Sequence, residues 1–187
     1  MTKKLGILAC DIETYRNYFL IMFKNIDNGK TTYFEMTPET SFNMDAVKDI
    51  LRKFTIVTFN GRNYDAPIMF MALTGNYTNS DLKDASDEII VTGRKFWHIE
   101  MKYGFKIPLN LDHIDIMEVA PGKGSLKLYG GRLHSRKLQD LPIDPAALIM
   151  PDQYELMRSY CGNDLNTTID LFNALRPQID LCEKMSL

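Results

Sequence analysis

The chain has 187 residues, 45% hydrophobic and 25% charged, the makeup of a soluble globular protein of one domain with enough apolar matter for a real core. Its 22 basic and 24 acidic residues leave a formal charge of −2, which argues against broad coating of duplex DNA but not against a grip on a few nucleotides at a strand end. No apolar run approaches the roughly 18 residues of a membrane span, an acid rather than a small-residue cleavage site follows the short run Leu5 to Cys10, so no signal peptide is expected, and Cys10, Cys161 and Cys182 form no Cys-x-x-Cys pair, so they are expected as reduced packing residues of a cytoplasmic protein.

In chain order, Leu5 to Asp11 reads as a buried strand. Tyr18 to Ile26 and Lys30 to Met36 read as two more, joined by the hairpin signal Asp27-Asn28-Gly29. Asp45 to Arg52 carries Val47, Ile50 and Leu51 on one helical face. Thr55 to Phe59 is β-branched and aromatic, a fourth strand, and Asn60-Gly61 ends it as a loop. Helices are expected from Pro67 to about Thr74, with proline in the first turn, and from Ser80 to Ile90. Val91 to Leu111 shows no clear pattern. Asp112 to Met117 reads as a strand or strand end, and Ser125 to Leu133 as a helix weakened by Gly130-Gly131. The longest helix spans Pro151 to Leu175, with Leu156, Tyr160, Asp164 and Leu171 at helical intervals, and Pro177 ends or kinks it. Neighbouring strands first, then strands mixed with helices, imply an α/β sheet that is only partly parallel, an order the ribonuclease H-like architecture fits: a mixed five-stranded sheet flanked by helices.

Three motifs carry chemistry. In Asp11-Ile12-Glu13-Thr14 the two acids, two apart in a strand, project to one face while Ile12 enters the core. Carboxylates so placed repel unless a cation lies between them, and hard divalent ions take oxygen donors of this kind; a solvated strand end gives the same pattern. In Phe59-Asn60-Gly61-Arg62-Asn63-Tyr64-Asp65 the acid follows strand four, either to join the first pair or to cap the next helix. In Tyr160-Cys161-Gly162-Asn163-Asp164 a spacing of four puts Tyr160 and Asp164 on one helical face.

In order and spacing these motifs resemble those of the DEDD exonuclease superfamily: Asp-x-Glu, then Asn-x(2–3)-aromatic-Asp, then Tyr-x-x-x-Asp or a histidine version. Here they read Asp11-Ile-Glu13, Asn60-x-x-x-Tyr64-Asp65 and Tyr160-x-x-x-Asp164. Ser159 stands where the histidine subclass has its histidine, so the match is to the tyrosine subclass. The stretches Ser125 to His134 and Tyr160 to Ile169 are similar to the exonuclease segment of bacteriophage DNA polymerases.

The resemblance implies a 3′→5′ exonuclease that uses two Mg²⁺ or Mn²⁺ ions to hydrolyse the terminal phosphodiester of a single DNA strand. Asp11, Glu13 and Asp164 would hold the ion that activates water, Asp11 would bridge to the second, Asp65 would act near it, and Tyr160 would orient the water. Thr14, Asn60 and Tyr64 are candidate contacts for the terminal nucleotide, with core packing the alternative for Tyr64. The run Lys123, Lys127, Arg132, Arg136 and Lys137, free of acids, is a candidate phosphate-binding stretch, led by Lys127 and Arg132, or else a solvated helix face. His98, His113 and His134 receive no role, and Asp112 and Asp115 are expected at turns or caps, with support of the site from the sheet end as the alternative. The implied partners are DNA 3′ ends and a DNA polymerase domain or subunit, with the 187 residues representing either a separate exonuclease or one domain of a longer chain. The same site on RNA, and a silent strand-end binding module, are the alternatives.

Overall fold

The computed structural model describes residues 4–122, 124–135 and 139–185. Five strands, β1 (Ile7–Tyr15), β2 (Tyr18–Asn25), β3 (Thr31–Met36), β4 (Thr55–Thr58) and β5 (His113–Asp115), form one sheet in the order β3-β2-β1-β4-β5. The first three pair antiparallel, whereas β1 with β4 and β4 with β5 pair parallel. With helices on both faces this is the α/β arrangement of a ribonuclease H-like fold, as the element order implies.

The period-two alternation of β1 sorts its side chains between two cores. Leu8, Cys10 and Ile12 enter the larger one, completed by α1 (Met44–Lys53), α2 (Asp65–Ala72), α3 (Asn79–Thr92) and α4 (Phe96–Tyr103). Ala9 and Tyr15 face the other way, against Met157, Tyr160, Cys161 and Leu165 of the long helix α6 (Tyr154–Ala174). Beyond β4, that side is filled by Val57, Tyr129 of α5 (Leu126–Arg132) and Ile179 of α7 (Arg176–Met185).

Several elements differ from the sequence expectation. Strand β1 does not stop at Asp11 but continues to Tyr15, because its ladder with β2 runs unbroken to Tyr15↔Tyr18. Helix α2 starts two residues before Pro67, at Asp65, which leaves the proline in the first turn, where no intrahelical N–H is required. Helix α4 lies in the stretch without a clear pattern. It exposes Trp97 and Met101 and fully buries Ile99, so no apolar stripe announces it. The expected helix from Pro151 is a 3-10 turn (Pro151–Gln153), then α6 and α7, broken at Leu175 just ahead of Pro177. Within α6 the buried stripe runs through Met157 and Cys161, and Leu156 is exposed. Among the described residues no helix is long and apolar enough to cross a membrane.

Two sets of contacts fix how α6 lies over β1. Arg158 binds Glu35 of β3 through Nε and Nη2 at 2.8 and 2.7 Å, a two-pronged contact with directional strength. Tyr18 of β2 donates to the same carboxylate at 2.5 Å. At the β1–β2 turn, the Asn17 side chain donates to the Ile149 carbonyl at 2.8 Å and accepts from the Ile149 N–H at 2.9 Å. Tyr15 donates to the Ile143 carbonyl at 3.0 Å. The chain entering α6 is thereby tied to the end of the strand that carries Asp11 and Glu13.

Candidate active site

Asp11 and Glu13 lie on the α6 face of β1, one strand step apart. From α6, Tyr160, Cys161 and Asp164 meet them. The Cys161 thiol, fully buried, donates to Asp11 Oδ2 at 3.4 Å and reaches the Asp11 carbonyl at 3.8 Å. One donor atom each from Asp11, Glu13 and Cys161 lie within 4.8 Å of one another. The Tyr160 hydroxyl is hydrogen-bonded to Asp164, the partner the four-residue spacing selects.

Asp65 arrives from the other side. Pairing of β1 with β4 ends at Ala9–Val57, so beyond that point β1 has no strand on its β4 flank. The Ile12 N–H is instead hydrogen-bonded to the carboxylates of Asp65 and Asp11. Tyr64 is the residue that caps α2; Asp65 is the first inside it, so the helix-cap reading of this acid does not hold. Asp65 is 4% exposed, and its Oδ1 is buried without a hydrogen-bond partner.

The loop that delivers Asp65 is rigidly held. Asn60 adopts a left-handed backbone, φ 61°, which asparagine tolerates better than most residues. The buried Asp115 carboxylate accepts from the Asn60 and Arg62 N–H groups at 2.8 and 2.9 Å and from Met117 N–H at 3.0 Å. Both readings of Asp115 thus hold: it caps the turn at Met117 and supports the motif loop. Gly61 packs on Thr58, and a Cβ there would lie 2.0 Å from Thr58 Oγ1. We expect Gly61→Ala to destabilise the protein by about 1–3 kcal/mol, the usual range for overpacking, read as a lower urea midpoint. An unchanged midpoint would mean that this loop yields freely.

The electrostatics are those of crowded acids. Burial and the neighbouring Asp164 push Asp11 up to about 7, against the smaller opposing effects of the Cys161 and Ile12 hydrogen bonds. Burial, then Asp11, Asp164 and Asp65, raise Glu13 well above the carboxylate range. Burial, then Asp11 and Asp115, do the same to Asp65. Burial also raises Asp164, whereas Tyr160 and Lys127 lower it. All four carboxylates thus sit within one another's fields or share one N–H. Lys127 of α5 lies close enough to draw down Glu13 and Asp164 while pairing with Asp140 at 2.9 Å. Acids short of countercharge and an orphaned Asp65 Oδ1 fit hard divalent ions such as Mg²⁺ or Mn²⁺, although the tightest donor group also contains the Cys161 thiol.

The remaining candidates separate. Thr14 Oγ1 and the Tyr64 hydroxyl bond each other at 3.2 Å, and Tyr64 also bonds Ser86 at 2.9 Å; both hydroxyls tie β1, α2 and α3 together, and the Tyr64 ring packs against the larger core. Asn60 is half-buried beside the loop. Arg132 is exposed at the far end of α5, over the Tyr129 ring, away from the helix start where Lys127 meets the acids. Lys123, Arg136 and Lys137 lie outside the described residues. His113 bonds Thr58 at 2.7 Å, and His98 and His134 are exposed, so none of the three joins the cluster. A cleft of about 820 Å³ between α1, α2 and residues 104–111 is lined by none of the motif residues.

Cys161 is the member of the cluster that the sequence reading passed over as packing. Its signal was positional: three residues before Asp164, it lies on that acid's side of the helix. No protein-family model matches this sequence, and no curated protein or solved structure does.

Proposed function

We propose that this chain is a metal-dependent 3′→5′ exonuclease of the tyrosine DEDD type, removing terminal nucleotides from single-stranded DNA. The supporting observation is the meeting of Asp11, Glu13, Asp65 and Asp164 beside Tyr160, with the Asp65 Oδ1 buried and unpartnered. A domain that merely held a polyanion would not gather buried acids where phosphate must come.

Asp11, Glu13 and Asp164 would hold one divalent ion, and Asp11 with Asp65 a second. Bound there, Mg²⁺ or Mn²⁺ supplies a water acidic enough to ionise near neutral pH and a countercharge for the leaving oxygen. The protein's own groups do the rest. Burial and the nearby Asp164 and Glu13 raise the Tyr160 phenol above its ordinary range, so it stays protonated and orients water by hydrogen bond rather than acting as a base. The Ile12 N–H, close to both Asp65 and Asp11, draws each of them down. Lys127, close to Glu13 and Asp164, offers a cation to an incoming phosphate. A strand end must unstack to reach carboxylates set this deep, so single strands are preferred to duplex. The reading carries with it a proofreading role beside a DNA polymerase domain or subunit.

The test is a gel of one oligonucleotide labelled at either end, with Mg²⁺ or with EDTA. A ladder shortening from the 3′ end, abolished by EDTA, is the expected result; no product from any strand would overturn the reading. The matching RNA oligonucleotide run alongside decides between the two substrates. Tyr160→Phe should slow the reaction about 10–100-fold, the size of effect of a lost orienting contact, and leave metal binding intact. Equal rates would remove Tyr160 from the chemistry.

A further inference from the structure

The cluster contains a donor that hydrolysis by hard ions does not use. Cys161 is fully buried, and its Sγ lies against the Asp11 carboxylate at 3.4 Å. Together with one oxygen each of Asp11 and Glu13, it forms a group whose donor atoms all lie within 4.8 Å of one another. A neighbouring acid, on the other flank of Asp11, is also short of a partner. Asp65, 4% exposed, shares the Ile12 N–H with Asp11, and its Oδ1 is left without a partner.

Thiolate donors select differently from carboxylates. Mg²⁺ takes oxygen and refuses sulfur, whereas Zn²⁺ and Cd²⁺ favour mixed sulfur and oxygen sets, with Zn–S near 2.3 Å and Zn–O near 2.0–2.2 Å. The two oxygens and the sulfur need close in only modestly around an ion of that kind.

We propose that Asp11, Glu13 and Cys161 form a three-donor binding site for a thiophilic divalent cation, zinc above all, with the fourth position left to water. Binding releases the Cys161 Sγ proton to solvent and replaces its hydrogen bond to Asp11 by two bonds to the same ion. Cys10 cannot substitute, because it points into the core on the opposite face of the sheet. Asp11 belongs both to this set and to the oxygen-only set, so zinc and the Mg²⁺ centre exclude one another. That exclusion, unlike the site itself, rests on the hydrolytic reading.

The experiment uses the full chain carrying Cys10→Ser and Cys182→Ser, which leaves Cys161 as the sole thiol. Titration with CdCl₂ should produce an ultraviolet thiolate-to-cadmium charge-transfer band that saturates at one equivalent and is displaced by zinc. Adding Asp11→Asn should weaken cadmium binding by about 10–100-fold or more, the scale of losses at metal sites. Adding Cys161→Ser should abolish the band. No band in the folded single-thiol protein overturns the proposal, and so does a band of unchanged affinity in the Asp11→Asn variant, which would mean a lone thiol bound the ion. The single-thiol protein decides by itself if Cys161→Ser fails to fold. A missing band in a protein that still degrades DNA with Mg²⁺ defeats this inference alone. A saturating band in a protein inert towards every strand supports the site while removing the exonuclease reading.

Discussion

Asp11→Ala and Asp164→Ala should each cut Mg²⁺-dependent degradation of a single-stranded 3′ end by at least about a thousandfold while the protein stays folded. The size follows from what each residue would do. Removing one preorganised electrostatic contact from a reacting centre commonly costs about 10²–10³ in rate, and Asp11 is placed to serve two ions at once. The retained fold follows from the same geometry. Asp11 and Asp164 are partly exposed at the rim of the smaller core, and both are raised above their ordinary range by burial. Truncating either one relieves the crowding of the acids and opens no large apolar cavity. Circular dichroism and initial rates, measured on one preparation, check both halves. A folded Asp11→Ala protein that digests DNA at the parental rate would end the mechanism.

The parts of this site legible in the sequence are those set by local periodicity. Asp11 and Glu13 share a face because strands repeat every two residues, and Tyr160 and Asp164 because helices repeat every 3.6. Asp65 was legible only through topology: it needed β4 beside β1 and a helix starting just past β4. The illegible parts are contacts between distant residues with no periodic signature. Asp115 clamps Asn60 across 55 positions, and Arg158 grips Glu35 across 123. In the sequence, either acid is one surface charge among 24. Cys161 packs in the smaller core as a buried cysteine is expected to, and only the placement of α6 over β1 also brings its sulfur onto a carboxylate. Thr14 and Tyr64 were legible as motif members, whereas their hydrogen bond to each other across 50 positions was not.

Crowded acids should also make the metal-free protein less stable as pH rises, the reverse of most carboxylate effects. Asp11 moves from the ordinary 3.8 to about 7 in the folded chain. Between those values the folded protein holds a proton that the unfolded chain has lost. Stability therefore declines with pH across that window, by up to about 1.4 kcal/mol per pH unit for a fully shifted group, and levels off above the folded value. Glu13 and Asp65 shift in the same direction and add to the decline. Asp49 and Asp81, held below the usual range by hydrogen-bonding partners, act oppositely below about pH 4, and His113, lowered from 6.5 by burial, acts oppositely just below that value, one group against four raised acids. In EDTA the melting temperature should thus fall from about pH 5 to about pH 7. Mg²⁺ at a hundred times its dissociation constant should restore about 2.7 kcal/mol at the alkaline end. Asp11→Asn, which removes one charge at nearly constant volume, should melt above the parent in EDTA at pH 8 and gain less from Mg²⁺. A parent that grows more stable over this interval, or an Asp11→Asn variant that melts lower than it at pH 8, would mean that the acids do not press on one another, and a site built to be completed by cations would have no electrostatic ground.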